Sequence, residues 1–289
     1  MPKRKAAAAA GGGGVDQIAY FTDVEGDWEY FHRYVEIADA LTWGADGEEL
    51  LLTDGWRFVF GGDAVDKAPG SVRCVRALVQ LKTAYPDRVV LLLGNRDINK
   101  MRLTSELAAP ELAAVGTLPG AFWVREAQRV APLTYVKGAA AAAEGVTADK
   151  VTERMIHKHN TAANRLKWIL KDTMGANGEF DRRRSELQLL SWNPSVVITD
   201  DQVVGSFLEG VGECGGTGSG TDWVRQLLEL GQLAWLHRNS LFVHGGVVSC
   251  RYDDSAPNGV SEESCLGHVP GKASLMPVTD RRYAQKESA

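Results

Sequence analysis

Asp63 and Asp66 stand three residues apart at the end of Arg57-Phe58-Val59-Phe60-Gly61-Gly62-Asp63-Ala64-Val65-Asp66-Lys67, where an apolar run passes through a glycine pair into two carboxylates. Acids at the carboxyl end of a buried strand are displayed above the sheet, where α/β proteins hold their ligands. The pattern recurs along the chain. Gln17-Ile18-Ala19-Tyr20-Phe21 runs into Thr22-Asp23-Val24-Glu25-Gly26-Asp27, the apolar stretch 88–93 stops at Gly94-Asn95-Arg96-Asp97, and Ser240-Leu241-Phe242-Val243 ends in His244-Gly245-Gly246. Brought to one sheet edge, these loops offer carboxylate, amide and imidazole donors. Divalent metals at phosphate-processing sites take such ligands, and two neighbouring metals need one ligand that bridges them. Asp63 is the expected bridge, with one ion on Asp23, Glu25 and Asp63 and the other on Asp63, Asn95 and His244. Such a pair lowers the pKa of a shared water and neutralises charge developing on a phosphoryl group.

The elements that must position these residues are legible from periodicity. Trp28, Phe31, Tyr34, Val35 and Ala38 recur at helical spacing after the first acidic loop. Asp54-Gly55, between Leu50-Leu51-Leu52 and the strand that leads to Asp63, predicts a β-hairpin. Pro69 opens a helix carried by Val72, Val75, Leu78, Val79 and Lys82 as far as Tyr85-Pro86. From about 105 to 160 the sequence loosens into alanine, proline and glycine. This predicts an inserted, partly helical segment whose run from Gly138 to Gly145 is flexible. Residues 164–170 and 180–190 read as two surface helices, and 210–220 as a glycine-rich linker that lacks the Lys-Ser/Thr ending of a phosphate cradle. Val224, Leu227, Leu228, Leu230 and Leu233 predict a helix from Trp223 to Leu236.

The 289 residues, 44% of them hydrophobic, suffice for one large α/β domain over 16–289, with an insertion at about 105–235 and a basic, Ala- and Gly-rich leader at 1–15. A net charge of -5 argues against nucleic-acid binding, which calls for concentrated Lys and Arg. Nothing in the sequence reads as a membrane span or a secretory signal. Four cysteines without paired spacing suggest neither a zinc cluster nor a disulfide framework, and so an intracellular, cytoplasmic protein; Lys3-Arg4-Lys5 is a weak nuclear-import patch. His157, His159, His32, His237 and the cluster Asp181-Arg182-Arg183-Arg184 read as polar surface.

Taken together, the Asp23-Val24-Glu25-Gly26-Asp27, Gly62-Asp63-Ala64-Val65-Asp66-Lys67, Gly94-Asn95-Arg96-Asp97 and Val243-His244-Gly245-Gly246 motifs resemble the ordered set of the calcineurin-like metallophosphoesterases. That family includes serine/threonine protein phosphatases and dinucleoside-polyphosphate hydrolases. The resemblance covers roughly residues 16–104 and 238–248. It implies an α/β fold with a central β-sandwich flanked by helices, two divalent ions at the carboxyl ends of the strands, and hydrolysis of a phosphate ester or phosphoanhydride. The implied partners are a phosphorylated small molecule, a nucleotide or a phosphoprotein, with a partner subunit left open.

This chain departs from the family pattern at chosen points. Glu25 stands where the family has a metal-binding His, which favours Mn, Mg or Fe over Zn. Arg96 stands where the family has the His that protonates the leaving group, and arginine cannot donate a proton near neutral pH. Asp66 is then expected to pair with Arg96, these two being assigned to the catalytic step, while Lys67 and Arg96 hold phosphate. His268 is the only candidate for the family's last metal ligand. It lies closer to His244 than the family places that ligand, as in a chain that ends early. A fold retained as a binding or scaffold module is the alternative to an enzyme.

Overall fold

The computed structural model describes residues 17–45, 47, 49–212, 221–246 and 276–277. The leader, most of the 210–220 linker and His268 lie outside the described residues.

The protein is mixed α/β, built on a small parallel sheet of order β1-β4-β5: β1 (Gln17–Phe21), β4 (Trp56–Phe60) and β5 (Val89–Leu91). β4 is central because it is apolar on both faces, as a parallel strand covered from two sides must be. Phe58 and Phe60 point into the main core with Phe31 and Val35 of α1 (Trp28–Ile37) and Val75 and Leu78 of α2 (Ser71–Ala84). Val59 turns to the other face and packs with Val90, Leu92 and Phe242. Asp27 caps α1, its side chain accepting from Tyr30 N at 2.9 Å.

The Asp54-Gly55 signal forms a turn without a hairpin. Gly55 has φ +81 and Trp56 N bonds Thr53 O, yet β3 (Leu50–Leu52) pairs antiparallel with β2 (Leu41–Trp43), while β4 pairs in parallel with β1 and β5. An apolar strand such as β4 gains more at the centre of a covered sheet than at the edge of a short hairpin.

Two further expectations are corrected. The alanine run is helical: α6 (Pro132–Glu144) starts with proline in its first turn and ends on Gly145 at φ +67. Alanine is the best helix former, and proline and glycine stand at the ends that suit them. The helix of residues 223–236 stops earlier, as α11 (Trp223–Leu230), and the chain becomes β6 (Ala234–His237), paired antiparallel with β7 (Ser240–Val243). At Gly231 a side chain would collide with Leu93 and the Leu227 carbonyl. The backbone instead runs beside β5, with Leu93 N donating to Gln232 O and Gln232 N to Leu91 O. β7 also pairs with β8 (Met276–Pro277).

The expected insertion has its own core. α4 (Arg102–Glu106), α8 (Ala162–Trp168), α9 (Glu179–Leu190) and α10 (Asp200–Gly210) supply Leu103, Leu166, Trp168, Phe180, Val203 and Phe207. The Asp181–Arg184 run is not a solvated face throughout. Arg183 is fully buried between the rings of Phe207 and Trp223, with Glu186 at 3.6 Å. His159 is tied to Glu144 at 2.9 Å and His32 stacks on Trp43. Among the described residues no helix is long and apolar enough to cross a membrane.

Candidate metal centre

The loops after β1, β4 and β5 are stitched into one surface by their backbones. Asp23 N donates to Gly62 O at 3.0 Å, and Glu25 N and Gly26 N donate to Asp63 O and Ala64 O at 2.9 Å. The buried carboxylate of Asp97 joins the second loop to the third by accepting from Asp63 N, Ala64 N and Gly94 N, each at 2.9 Å. Burial pushes the Asp97 carboxyl up to about 6, against the pull of those three N–H groups.

The turns that aim the side chains are strained. Asp23, Glu25, Asp63, Asp66 and Lys67 all have φ between +47 and +77, a region few residues other than glycine enter. Such strain costs on the order of 1–3 kcal/mol at each position and collects at functional sites. Two glycines allow the loops to meet: a side chain at Gly62 would lie 2.7 Å from Gly94 N and His244 Nδ1, and one at Gly94 would overlap the Asp63 carboxylate.

The donors converge at this point. Ligand atoms of Asp23, Asp63 and His244 all lie within 4.8 Å of one another. His244 Nδ1 is 2.8 Å from the Gly61 carbonyl. A carbonyl only accepts, so Nδ1 carries the proton, and in the neutral ring Nε2 presents a lone pair. That lone pair faces Asp63 Oδ1 and Asn95 Oδ1, both at 3.4 Å. Three acceptors aimed at one another repel unless a cation joins them, and imidazole with carboxylate and amide oxygens is a set a divalent ion accepts. The carbonyl behind Nδ1 is the kind of outer partner that would orient this histidine towards an ion. Burial raises the Asp63 carboxyl, opposed by the Arg96 N–H at 2.9 Å and by the Arg96 charge. Thr22 Oγ1 donates to Asp23 Oδ2 at 2.7 Å and orients that carboxylate from behind.

Glu25 is placed elsewhere. Its Oε1 is bonded by Lys67 Nζ and by Arg96 Nε at 3.0 Å. Asp66 is closer to Lys100 than to its expected partner: Lys100 Nζ is 2.7 Å from Asp66 Oδ2, and Arg96 Nη1 is 3.6 Å away. Sequence reasoning passed over Lys100, which is fully buried; its one signal is a lysine one helical turn after Arg96 on α3 (Asn95–Asn99) and its C-cap. It also passed over Glu179, which accepts from Ser71 Oγ at 3.3 Å while Ser71 Oγ accepts from Asp66 N. Comparison with protein-family models and with curated proteins found no match to this chain.

Proposed function

We propose that this protein is a metal-dependent phosphoesterase of the metallophosphoesterase type, hydrolysing a phosphate ester or phosphoanhydride. The observation that carries this reading is the mutual approach of Asp23, Asp63 and His244 within 4.8 Å, with Asn95 Oδ1 beside them, at the carboxyl ends of successive strands. The sandwich expected of that family has support in the packing of Val59, Val90 and Leu92 from one sheet against Phe242 and Trp235 from another. Asp23, Asp63, Asn95 and His244 would hold a divalent ion, with Mn, Mg or Fe suited to an oxygen-rich set. When bound, such an ion supplies an activated water and neutralises phosphoryl charge.

The chain's own groups do the rest. Arg96 stands beside Asp63 and Lys67 beside Glu25, and these two cations would hold the phosphoryl oxygens of a substrate. Lys100 neutralises buried Asp66 and so keeps the second loop in its strained form. Arg96 retains its proton, so the leaving group receives none from this position, and leaving groups that depart as anions are favoured. Phosphoanhydrides of nucleotides or polyphosphate fit that condition. The ties of Glu25 to Lys67 and Arg96 favour a second reading, a phosphate-binding module without turnover.

The test is Mn-dependent hydrolysis of p-nitrophenyl phosphate and of dinucleoside polyphosphates by wild type and Asp63→Asn. The expected result is hydrolysis that favours the anhydride and falls at least ~100-fold in the variant, since even outer-shell changes cost 10–100-fold. Equal activity in the two proteins would remove the enzyme reading.

A further inference from the structure

Asp63 meets the candidate ion site through Oδ1, and its other oxygen faces a guanidinium. Oδ2 lies 3.6 Å from Arg96 Nε. The same Nε donates to Glu25 at 3.0 Å, and Nη1 is 3.6 Å from Asp66. One side chain therefore reaches three carboxylates, and two of them, Glu25 and Asp63, are those a second, bridged ion would need. Lys67 bonds the same oxygen of Glu25. Arg96 is built in, and Lys67, its side chain half-exposed, extends from a constrained turn. Arg96 N bonds Asp63 Oδ1 at 2.9 Å, its Nη1 reaches the Met174 carbonyl, and Lys67 is set by a left-handed backbone at φ +66.

Charge leads to the same conclusion. These loops hold five carboxylates, Asp23, Glu25, Asp63, Asp66 and Asp97, and three cations, Lys67, Arg96 and Lys100, which leaves two negative charges when every carboxylate is ionised. One divalent ion balances that set, and two would leave it strongly positive. Resting on the metal-dependent reading above, we propose that the Arg96 guanidinium, backed by Lys67, permanently replaces the second cation. The centre then takes a single divalent ion on Asp23, Asp63, Asn95 and His244, and Glu25 is a ligand of side chains only. A phosphate would sit between that ion and Arg96, one cation being exchangeable and the other fixed.

The experiment loads the full-length protein with Mn(II), counts bound ions by elemental analysis after dialysis, and records the Mn(II) paramagnetic resonance spectrum. The expected wild type carries a single ion with the spectrum of an isolated Mn(II), and Glu25→Gln leaves both unchanged. Lys67→Ala combined with Arg96→Ala frees Glu25, adds a second ion and gives the spectrum of a spin-coupled pair. A coupled pair in wild type overturns the proposal, as does a folded double variant that still takes a single ion. If circular dichroism shows the double variant unfolded, wild type against Glu25→Gln decides, because a bridged pair loses an ion in that variant. Wild type that binds no Mn(II) would instead remove the metal-dependent reading itself.

Discussion

The two oxygens of Asp63 meet opposite surroundings. Oδ1 takes the Arg96 N–H at 2.9 Å and beyond it faces Asn95 Oδ1 and the lone pair of His244 Nε2, both acceptors. Oδ2 shares its side with Glu25 and Asp66, and there the carboxylates are matched by Arg96, Lys67 and Lys100. The difference separates recruitment from self-sufficiency. Acceptors left facing one another create a demand that an external cation satisfies, whereas acids supplied with side-chain cations satisfy themselves. A single carboxylate thus forms the boundary between the candidate ion site and carboxylates already paired with side-chain cations.

Changes that disturb the filled side should cost the most. Lys100→Ala leaves Asp66 buried without its nearest cation, and the expected loss is about 3–5 kcal/mol of stability in denaturant unfolding. A loss under about 1 kcal/mol would mean that the paired side is not held by that lysine.

On the recruiting side, Gly62→Ala forces a side chain against Gly94 N and His244 Nδ1 at a backbone of φ +101. The expected outcome is roughly 1–3 kcal/mol of destabilisation together with weaker Mn(II) binding by calorimetry. Normal ion affinity in that variant would show that close approach of the loops is not what assembles the donors. Thr22→Val removes the hydrogen bond behind Asp23 and should weaken ion affinity by about 10-fold with little change in stability.

The smallest effect concerns pH on the filled side. Glu179 sits behind Asp66 through Ser71, and burial pushes its carboxyl up to about 7, with Asp66 adding to the rise and Arg183 and Arg182 opposing it. The folded chain therefore keeps a proton that the unfolded chain has lost. The stability this contributes is present below the ordinary glutamate range and is lost as pH rises towards 7. Glu179→Gln should flatten the Tm profile between about pH 5 and 8. An unchanged slope would place the titration elsewhere.

Much of the recruiting side was legible in the sequence, and little of the filled side was. Asp23, Asp63, Asn95 and His244 each follow an apolar strand, and that local signal survives folding because the strand end fixes where the side chain stands. Lys100, Arg183 and Glu179 carry no such signal. On a helix a charged residue reads as solvated surface, and only packing against a distant element buries it. Arg183 depends on Phe207 and Trp223, which lie far along the chain. Glu25 was read as a ligand from its motif, whereas its partners Lys67 and Arg96 come from two other loops. The sequence misleads where a local preference competes with a tertiary one. Asp54-Gly55 promised a hairpin that β4 declined in favour of the parallel sheet, and the Leu pattern of α11 continued past a glycine that packing required.

The central claim, that Asp63 Oδ1, Asn95 and His244 form a cation site, is tested most directly at the imidazole. With 15N-labelled histidine, assigned by the variant His244→Asn, the two ring nitrogens are followed by NMR while Zn(II), a diamagnetic stand-in that imidazole binds well, is added. The expected result is a large shift of His244 Nε2 with Nδ1 still protonated towards the Gly61 carbonyl. An Nε2 that stays where it was, on an imidazolium paired only with Asp63, would contradict the account.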